Sequence, residues 1–104
     1  MTLHELARTA FDELNDVLCS EGEAARVRYF WIEPDYDCVD EWMICAIWEL
    51  PPHGGECWPL EVLDKYRRCT REAIGDAAFT HSLFRTSEQL ADPAHQRGVQ
   101  LQPA

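Results

Sequence analysis

Basic residues are missing from the middle of this 104-residue chain, which has no lysine or arginine at residues 29–64. The same segment carries nine carboxylates and all 4 tryptophans of the protein. Over the whole chain, 19 acidic residues oppose 9 lysines and arginines, which gives a net charge of -10. Such a surface repels a polyanion, because its contact with one releases no counterions. We therefore expect neither nucleic acid nor an anionic membrane as a partner, and we expect a basic protein surface to be attracted.

Signals of export and of disulfide chemistry are also absent. The first six residues contain no basic region followed by an apolar core, and no apolar run reaches the length of a membrane span. The 5 cysteines form no C-x-x-C pair and show no regular spacing. We therefore expect a cytoplasmic protein whose thiols are reduced.

Motifs of the common catalytic and metal-binding classes are missing too. The chain has no nucleophile elbow, no glycine-rich phosphate loop and no H-x-x-x-H zinc pair. The acidic segment from Asp35 to Glu41 lacks the central glycine and the final glutamate of a calcium loop. The two cysteines in predicted buried positions, Cys45 and Cys69, are expected to be inert. We accordingly predict no catalytic residue, no cofactor and a function other than catalysis.

One short segment, His53-Gly-Gly-Glu-Cys57, combines an imidazole, a thiol and a carboxylate. If Cys19 lies at the same edge of the sheet, then Cys19, His53 and Cys57 supply three zinc ligands, but no fourth ligand is evident. The expected structure is a glycine turn followed by a buried cysteine. The alternative to a protein-binding function is a small ligand-binding domain or enzyme, with a pocket near His53, Glu56 and Cys57.

The pattern of apolar residues predicts an α+β fold. Apolar residues at three-and-four spacing predict a helix over 3–19, with a capping box at Thr2 and Glu5. Aromatic and β-branched runs predict strands at 25–33, 42–50 and 78–85. A second helix begins at Pro59 and ends before Gly75, and Thr86 with Gln89 caps a short last helix. The prediction is a two-layer α-β-β-α-β sandwich, in which two helices pack on a three-stranded, mainly antiparallel sheet.

The predicted domain boundaries and strand faces follow from the same pattern. Residues 1–93 form one domain, and residues 94–104 form a flexible tail. Both faces of the strand at 42–50 are apolar, so we expect both to be covered. Alternation places Trp42 and Trp48 on one face, and it places Trp31 on the same face as Val27 and Tyr29. His81, between Phe79 and Leu83, is predicted to be a core histidine.

The second predicted helix carries four of the 9 lysines and arginines, at Lys65, Arg67, Arg68 and Arg71. We expect ion pairs at four-residue spacing to neutralise much of this charge locally. These pairs are Glu61 with Lys65 and Asp64 with Arg68. We therefore interpret these residues as a solvated helix face. A small anion-binding patch is the alternative.

The leading hypothesis is a protein-binding module that acts through an aromatic sheet face and an acidic hairpin loop. A second copy of the chain is a further candidate partner, because the two helices are expected to leave one apolar face of the sheet uncovered. In size, acidity and element order the chain is similar to small bacterial inhibitor, immunity or antitoxin-like proteins, although it carries no motif of such a family. The predicted partner-binding residues are Trp31, Asp35, Asp37, Asp40, Glu41, Trp42 and Trp48.

Overall fold

The computed structural model describes residues 2–34, 37, 41–52, 58–75, 79–91 and 102–103. The predicted α+β fold is confirmed, and the long helices and strands lie within one residue of their predicted bounds. The elements in chain order are α1 (Leu3–Ser20), β1 (Arg26–Pro34), β2 (Trp42–Glu49), α2 (Leu60–Ile74), β3 (Phe79–Arg85), α3 (Ser87–Ala91) and β4 (Gln102–Pro103).

The sheet has the strand order β3-β2-β1-β4. β1 and β2 form an antiparallel hairpin, whereas β3 runs parallel to β2 because α2 carries the chain back across the sheet. The predicted three strands are therefore present, and β4 adds a short antiparallel strand beside Tyr29 and Phe30 of β1. The other residues of the predicted C-terminal tail lie outside the described residues.

Side-chain caps begin two of the helices. At α1, the Thr2 hydroxyl accepts from the Glu5 N–H (3.2 Å), and the Glu5 carboxylate accepts from the Thr2 N–H (2.9 Å). Thr86 and Gln89 exchange the corresponding bonds at α3 (2.9 and 3.3 Å). Both predicted capping boxes are confirmed, and each one satisfies amide groups that a helix start leaves without an intrahelical acceptor.

The hydrophobic core lies between the helices and one face of the sheet. We call this the helix-covered face, and we call the opposite side, which includes Tyr29, Trp31, Cys45, Ile47 and Leu83, the second face. Full burial of a large apolar side chain stabilises the fold by about 1.5–3 kcal/mol, so the cluster is the main source of stability. Its buried members are Ala7, Ala10, Phe11, Leu18, Ala25, Val27, Phe30, Ile44, Ala46, Trp48, Leu50, Tyr66 and Ile74.

A β-bulge at Arg28 changes which side chains of β1 share a face. Val27 pairs with Trp48, but the next paired residue is Tyr29, which lies opposite Ile47. The bulge adds one residue to β1, so Val27 turns to the core while Tyr29 and Trp31 turn to the second face. The prediction that Val27 shares a face with Trp31 is therefore wrong.

Asn15 of α1 holds the edge of β1 beside this bulge. Its side-chain amide donates to the Val27 carbonyl (2.9 Å) and accepts from the Val27 N–H (2.9 Å). A half-buried asparagine thus takes the place of a neighbouring strand for one residue, and no main-chain group of Val27 is left without a partner.

The Thr70 hydroxyl joins three elements in the core. It accepts from Trp48 Nε1 of β2 (2.9 Å) and from Ser82 Oγ of β3 (2.9 Å), and it donates to the Tyr66 carbonyl of α2 (2.9 Å). A threonine hydroxyl has one donor and two acceptor positions, so its capacity is fully used. Thr70 is 0 % exposed, which makes the loss of any of these bonds costly.

We predict that Thr70→Val destabilises the fold by about 1–3 kcal/mol, because it leaves the buried Trp48 and Ser82 donors without an acceptor. Urea unfolding, followed by tryptophan fluorescence, measures the change in the free energy of unfolding. Thr70→Ser is the control, since it keeps the hydroxyl and loses only a methyl group. A Thr70→Val protein as stable as the parent would contradict this role.

Glu23 ties the turn after α1 to α2. Its carboxylate accepts from Lys65 Nζ (2.8 Å) and from the Tyr66 hydroxyl (3.0 Å). These two hydrogen bonds, with that from Lys65 first, lower the pKa of Glu23 below its ordinary value. A carboxylate whose pKa is lower in the folded state stabilises the fold above its unfolded pKa, and this contribution is lost as pH falls through the folded pKa.

We predict that Glu23→Gln is less stable than the parent near neutral pH, and that the difference shrinks as the pH falls below about 4.3, the ordinary value for glutamate. Urea unfolding of both proteins at several pH values measures it. Glu61→Gln removes a carboxylate from exposed α2 surface and is the control. A difference that does not change with pH would show that ionisation of Glu23 contributes nothing.

Candidate functional site

The end of the β1–β2 hairpin holds most of the described residues that were predicted to bind a partner. We use the name hairpin end for Trp31, Glu33, Asp37, Glu41 and Trp42. Asp35 and Asp40, which were predicted to act with them, lie outside the described residues. The described part of the site consists of the two strand ends and of the exposed Asp37 and Glu41.

Trp42 is the most accessible tryptophan of the described part of the chain. It begins β2, lies opposite Pro34 in the last pair of the ladder, and is 50 % exposed. It lies on the same face as the core residues Ile44 and Trp48, but beyond the point where the core ends. Half of a large aromatic surface is thus left for contact with another molecule.

Trp31 belongs to the second face and is half-buried. Its indole Nε1 donates to the Glu33 carboxylate (3.2 Å), which fixes the side chains of both residues. Trp31 lies opposite Cys45, and Glu33 lies opposite Met43. Trp31 and Trp42 therefore approach the hairpin end from opposite faces of the sheet, so the predicted single aromatic face does not contain both.

Trp48 does not belong to the partner surface. It is 0 % exposed, its ring packs 4.7 Å from the Tyr66 ring, and its indole donates to Thr70. A partner cannot reach this side chain while the fold is intact, so the prediction that Trp48 contacts a partner is corrected. It stabilises the helix-covered face instead.

The predicted soft-ligand segment receives no support from the described residues. Cys19 is exposed at the end of α1, while His53, Glu56 and Cys57 lie outside the described residues. Within residues 2–34, 37, 41–52, 58–75, 79–91 and 102–103, no group of three histidine, cysteine or acidic side chains is arranged to hold a metal ion. The pocket predicted beside His53 stays a prediction.

His81 is exposed, so its prediction as a core histidine is wrong. Alternation along β3 places Ser82 towards the helices, where it is buried, and His81 on the opposite side. The apolar neighbours Phe79 and Leu83 had suggested a core position. His81 lies beside Cys45 on the second face, away from the helices, and its imidazole is accessible there.

Three arginines of α2 form the feature that the sequence interpretation undervalued. Arg67, Arg68 and Arg71, together with Thr80, His81 and Ser82 of β3, line a cleft of about 280 Å³. We call it the arginine cleft. The sequence predicted a solvated helix face here. Carboxylates four residues before Lys65 and Arg68 were expected to neutralise much of the positive charge of α2.

A second groove runs between the two long helices. It has a volume of about 440 Å³, and its exposed apolar residue is Val17, which is 51 % exposed. Its acidic residues are Glu13, Glu21 and Glu72. Like the hairpin end, this groove is acidic, so Val17 is a suitable control position in experiments on partner binding.

The buried thiol of Cys45 is unsuited to nucleophilic chemistry. Burial raises its pKa to about 12, and the nearby Glu33 carboxylate adds to the increase. Burial and the Glu72 carboxylate likewise raise the pKa of Cys69. A thiol reacts as the thiolate, so neither group is activated near neutral pH.

We predict that Cys45 resists iodoacetamide in the folded protein while the exposed Cys19 is alkylated. Relative to a thiol with the ordinary pKa of 9.0, its thiolate fraction near neutral pH is roughly a thousandfold smaller. Peptide mapping by mass spectrometry, before and after unfolding in urea, compares the two sites. Alkylation of Cys45 at the rate of Cys19 in the folded protein would contradict the assignment.

In the described part of the chain, no helix is both long enough and apolar enough to span a bilayer. Comparison with protein-family models, curated proteins and solved structures found no match to this chain. Function is therefore inferred from the arrangement of the described side chains.

Proposed function

We propose that this protein is a small binding module that docks a basic protein surface at the hairpin end. The observation that supports this most directly is the half-exposed Trp42, which stands beside the exposed carboxylate of Glu41. A large aromatic ring that is only partly covered is a typical anchor of a protein interface. Its position on a strand, instead of in a loop, keeps the entropic cost of ordering it low.

The chemistry of the hairpin end favours a lysine or arginine of the partner. A cation placed over the Trp42 ring gains about 0.5–1 kcal/mol in an exposed site and about 2 kcal/mol or more when water is excluded. The exposed carboxylate of Glu41, next to Trp42 in the chain, supplies the opposite charge. An aromatic ring and carboxylates together recognise a cationic side chain better than either group does alone.

The charge distribution supports the same choice of partner. No lysine or arginine occurs at residues 29–64, so the segment that contains the hairpin end brings no cation of its own. The preceding cation, Arg28, is bound to Glu49 at 2.8 Å. A concentrated negative field raises the rate at which a basic partner is captured, and it disfavours acidic competitors.

A homodimer is the competing form of this proposal. The second face carries Tyr29, Trp31 and Leu83, all partly exposed, which a second copy could cover. However, each copy has a net charge of -10, so association of two copies has to overcome like-charge repulsion. We therefore assign the hairpin end to a different, basic protein.

The proposal is tested by site-specific crosslinking in extracts of the native host. A photoreactive phenylalanine derivative is placed at position 42, and in a matched protein at position 17, which is equally exposed but lies in the groove between the helices. The expected result is one basic protein, in near-equal amount, crosslinked from position 42 only. Crosslinks from position 17 alone, or only to a second copy of this chain, would refute the assignment.

Binding of that purified protein is then measured by titration. Trp42→Ala is expected to weaken binding by at least about tenfold, or about 1.4 kcal/mol, because it removes the anchor ring. Glu41→Lys is expected to slow association and to reduce the dependence of the rate on salt. Val17→Ala is the control and should leave the affinity unchanged. Equal affinities for Trp42→Ala and the parent would sink the proposal even if the partner itself were real.

A further inference from the structure

The arginine cleft brings two kinds of anion-binding group together. α2 contributes the guanidinium groups of Arg67, Arg68 and Arg71 from adjacent turns, and β3 contributes Thr80 and Ser82. Residues that are three or four positions apart lie on the same side of a helix, so Arg71 is a neighbour of both other arginines. A third of the 9 lysines and arginines in this acidic protein thus converge on one cleft.

The local pairing expected to neutralise these arginines does not form. Lys65 reaches across to Glu23 (2.8 Å), not to Glu61, and Asp64 binds Arg67 (3.2 Å), not Arg68. Both predictions of four-residue pairs on α2 are therefore wrong. Lys65 instead pairs with Glu23, which lies in the turn after α1. Asp64 pairs with Arg67 at three-residue spacing on the same helix.

Arg68 and Arg71 consequently have no ion-pair partner among the described residues. The side chain of neither residue makes a hydrogen bond or an ion pair with another residue in the described ranges. Arg67 is held differently, since its guanidinium lies 5.4 Å from the centre of the Phe84 ring in addition to its bond with Asp64. The exposed Asp64 pair is weak, so Arg67 can contribute to the cleft as well.

The edge of β3 supplies main-chain donors to the same cleft. The Arg85 carbonyl accepts from the Leu50 N–H (2.9 Å), so the main chain of Arg85 faces β2. Alternation along a parallel strand then directs the N–H groups of Thr80 and Ser82 away from β2, towards the side of β3 on which no other described strand pairs. Ser82 is held in position by its bond to Thr70, which fixes the wall of the cleft.

We propose that the arginine cleft binds the phosphate group of a small phosphorylated metabolite. Arginine forks and main-chain N–H groups are the donors that proteins use for phosphate oxygens. A phosphate monoester carries about -1.5 to -2 charges near neutral pH, which the two guanidinium groups of Arg68 and Arg71 match. The cleft volume of about 280 Å³ suits a ligand of metabolite size.

A small anion is favoured over a nucleic acid by the range of the forces involved. A long polyanion meets the field of the whole protein, whose net charge is -10. A single phosphate group instead responds to the charges within about 8–10 Å, the screening length near physiological salt. Attraction by the cleft is therefore compatible with repulsion of nucleic acid by the remaining surface.

Nuclear magnetic resonance titration of the full chain tests the site directly. Inorganic phosphate and glycerol phosphate are added to about 10 mM, a concentration that detects millimolar binding, and acetate is added in parallel. The expected result is a saturable shift of the Thr80, His81 and Ser82 amide signals with both phosphates, and little shift with acetate. No saturable shift in these amides would overturn the proposal, and so would an equal response to acetate.

Substitutions of the arginines separate recognition from bulk charge. Arg68→Gln and Arg71→Gln are each expected to weaken glycerol phosphate binding by about tenfold or more, because each removes one charge-assisted fork. Arg71→Lys keeps the charge and should restore only part of the affinity. Lys65→Gln, which removes the same charge from α2 outside the cleft, is the control. An equal loss in Lys65→Gln would show that only overall charge matters and would refute the site.

Discussion

The hydroxyl of Thr70 is the interaction on which the arrangement of this fold depends. One buried oxygen connects Trp48 of β2, Ser82 of β3 and the Tyr66 carbonyl of α2. Because every donor and acceptor position of the hydroxyl is used, rotation of α2 about its axis would leave buried polar groups unpaired. The same constraint that fixes Tyr66 against the Trp48 ring also places Arg67 and Arg71 beside β3. The orientation of α2 therefore determines both the hydrogen bonds of the core and the position of the arginine cleft.

A second constraint acts on the opposite edge of the sheet. The bulge at Arg28 turns Val27 into the core and leaves Trp31 on the second face, and the amide of Asn15 satisfies the main chain of Val27 at that point. One inserted residue thus places Val27 in the core, on the face opposite to Tyr29 and Trp31. In the regular ladder beyond the bulge, Trp31 pairs with Cys45 and so lies on the face opposite to Trp42. A partner that touches both therefore has to wrap around the strand ends.

Sequence patterns predicted the elements well, because they depend on local periodicity and on caps. The three-and-four spacing of α1 and the reciprocal bonds of Thr2 and Glu5 are properties of adjacent residues. The faces of the strands were predicted less well. Nothing in the residues around Arg28 marks a bulge, and without it simple alternation assigns Val27 to the wrong side. Likewise, Trp42 and Trp48 share a face by alternation, but only the packing of α2 shows that the core ends between them.

The candidate sites depended on contacts between residues distant in sequence, which spacing does not reveal. Four-residue spacing on a helix is worth only about 0.3–0.5 kcal/mol per ion pair, so a better-placed carboxylate elsewhere in the fold easily displaces the local partner. Glu23, 42 residues from Lys65, does this with help from Tyr66. The consequence extends beyond that pair, since Lys65 turns towards Glu23 while Arg68 and Arg71 are left to concentrate positive charge at β3. A net charge of -10 describes the chain as a whole, but recognition within one screening length depends on which local pairs the fold allows to form.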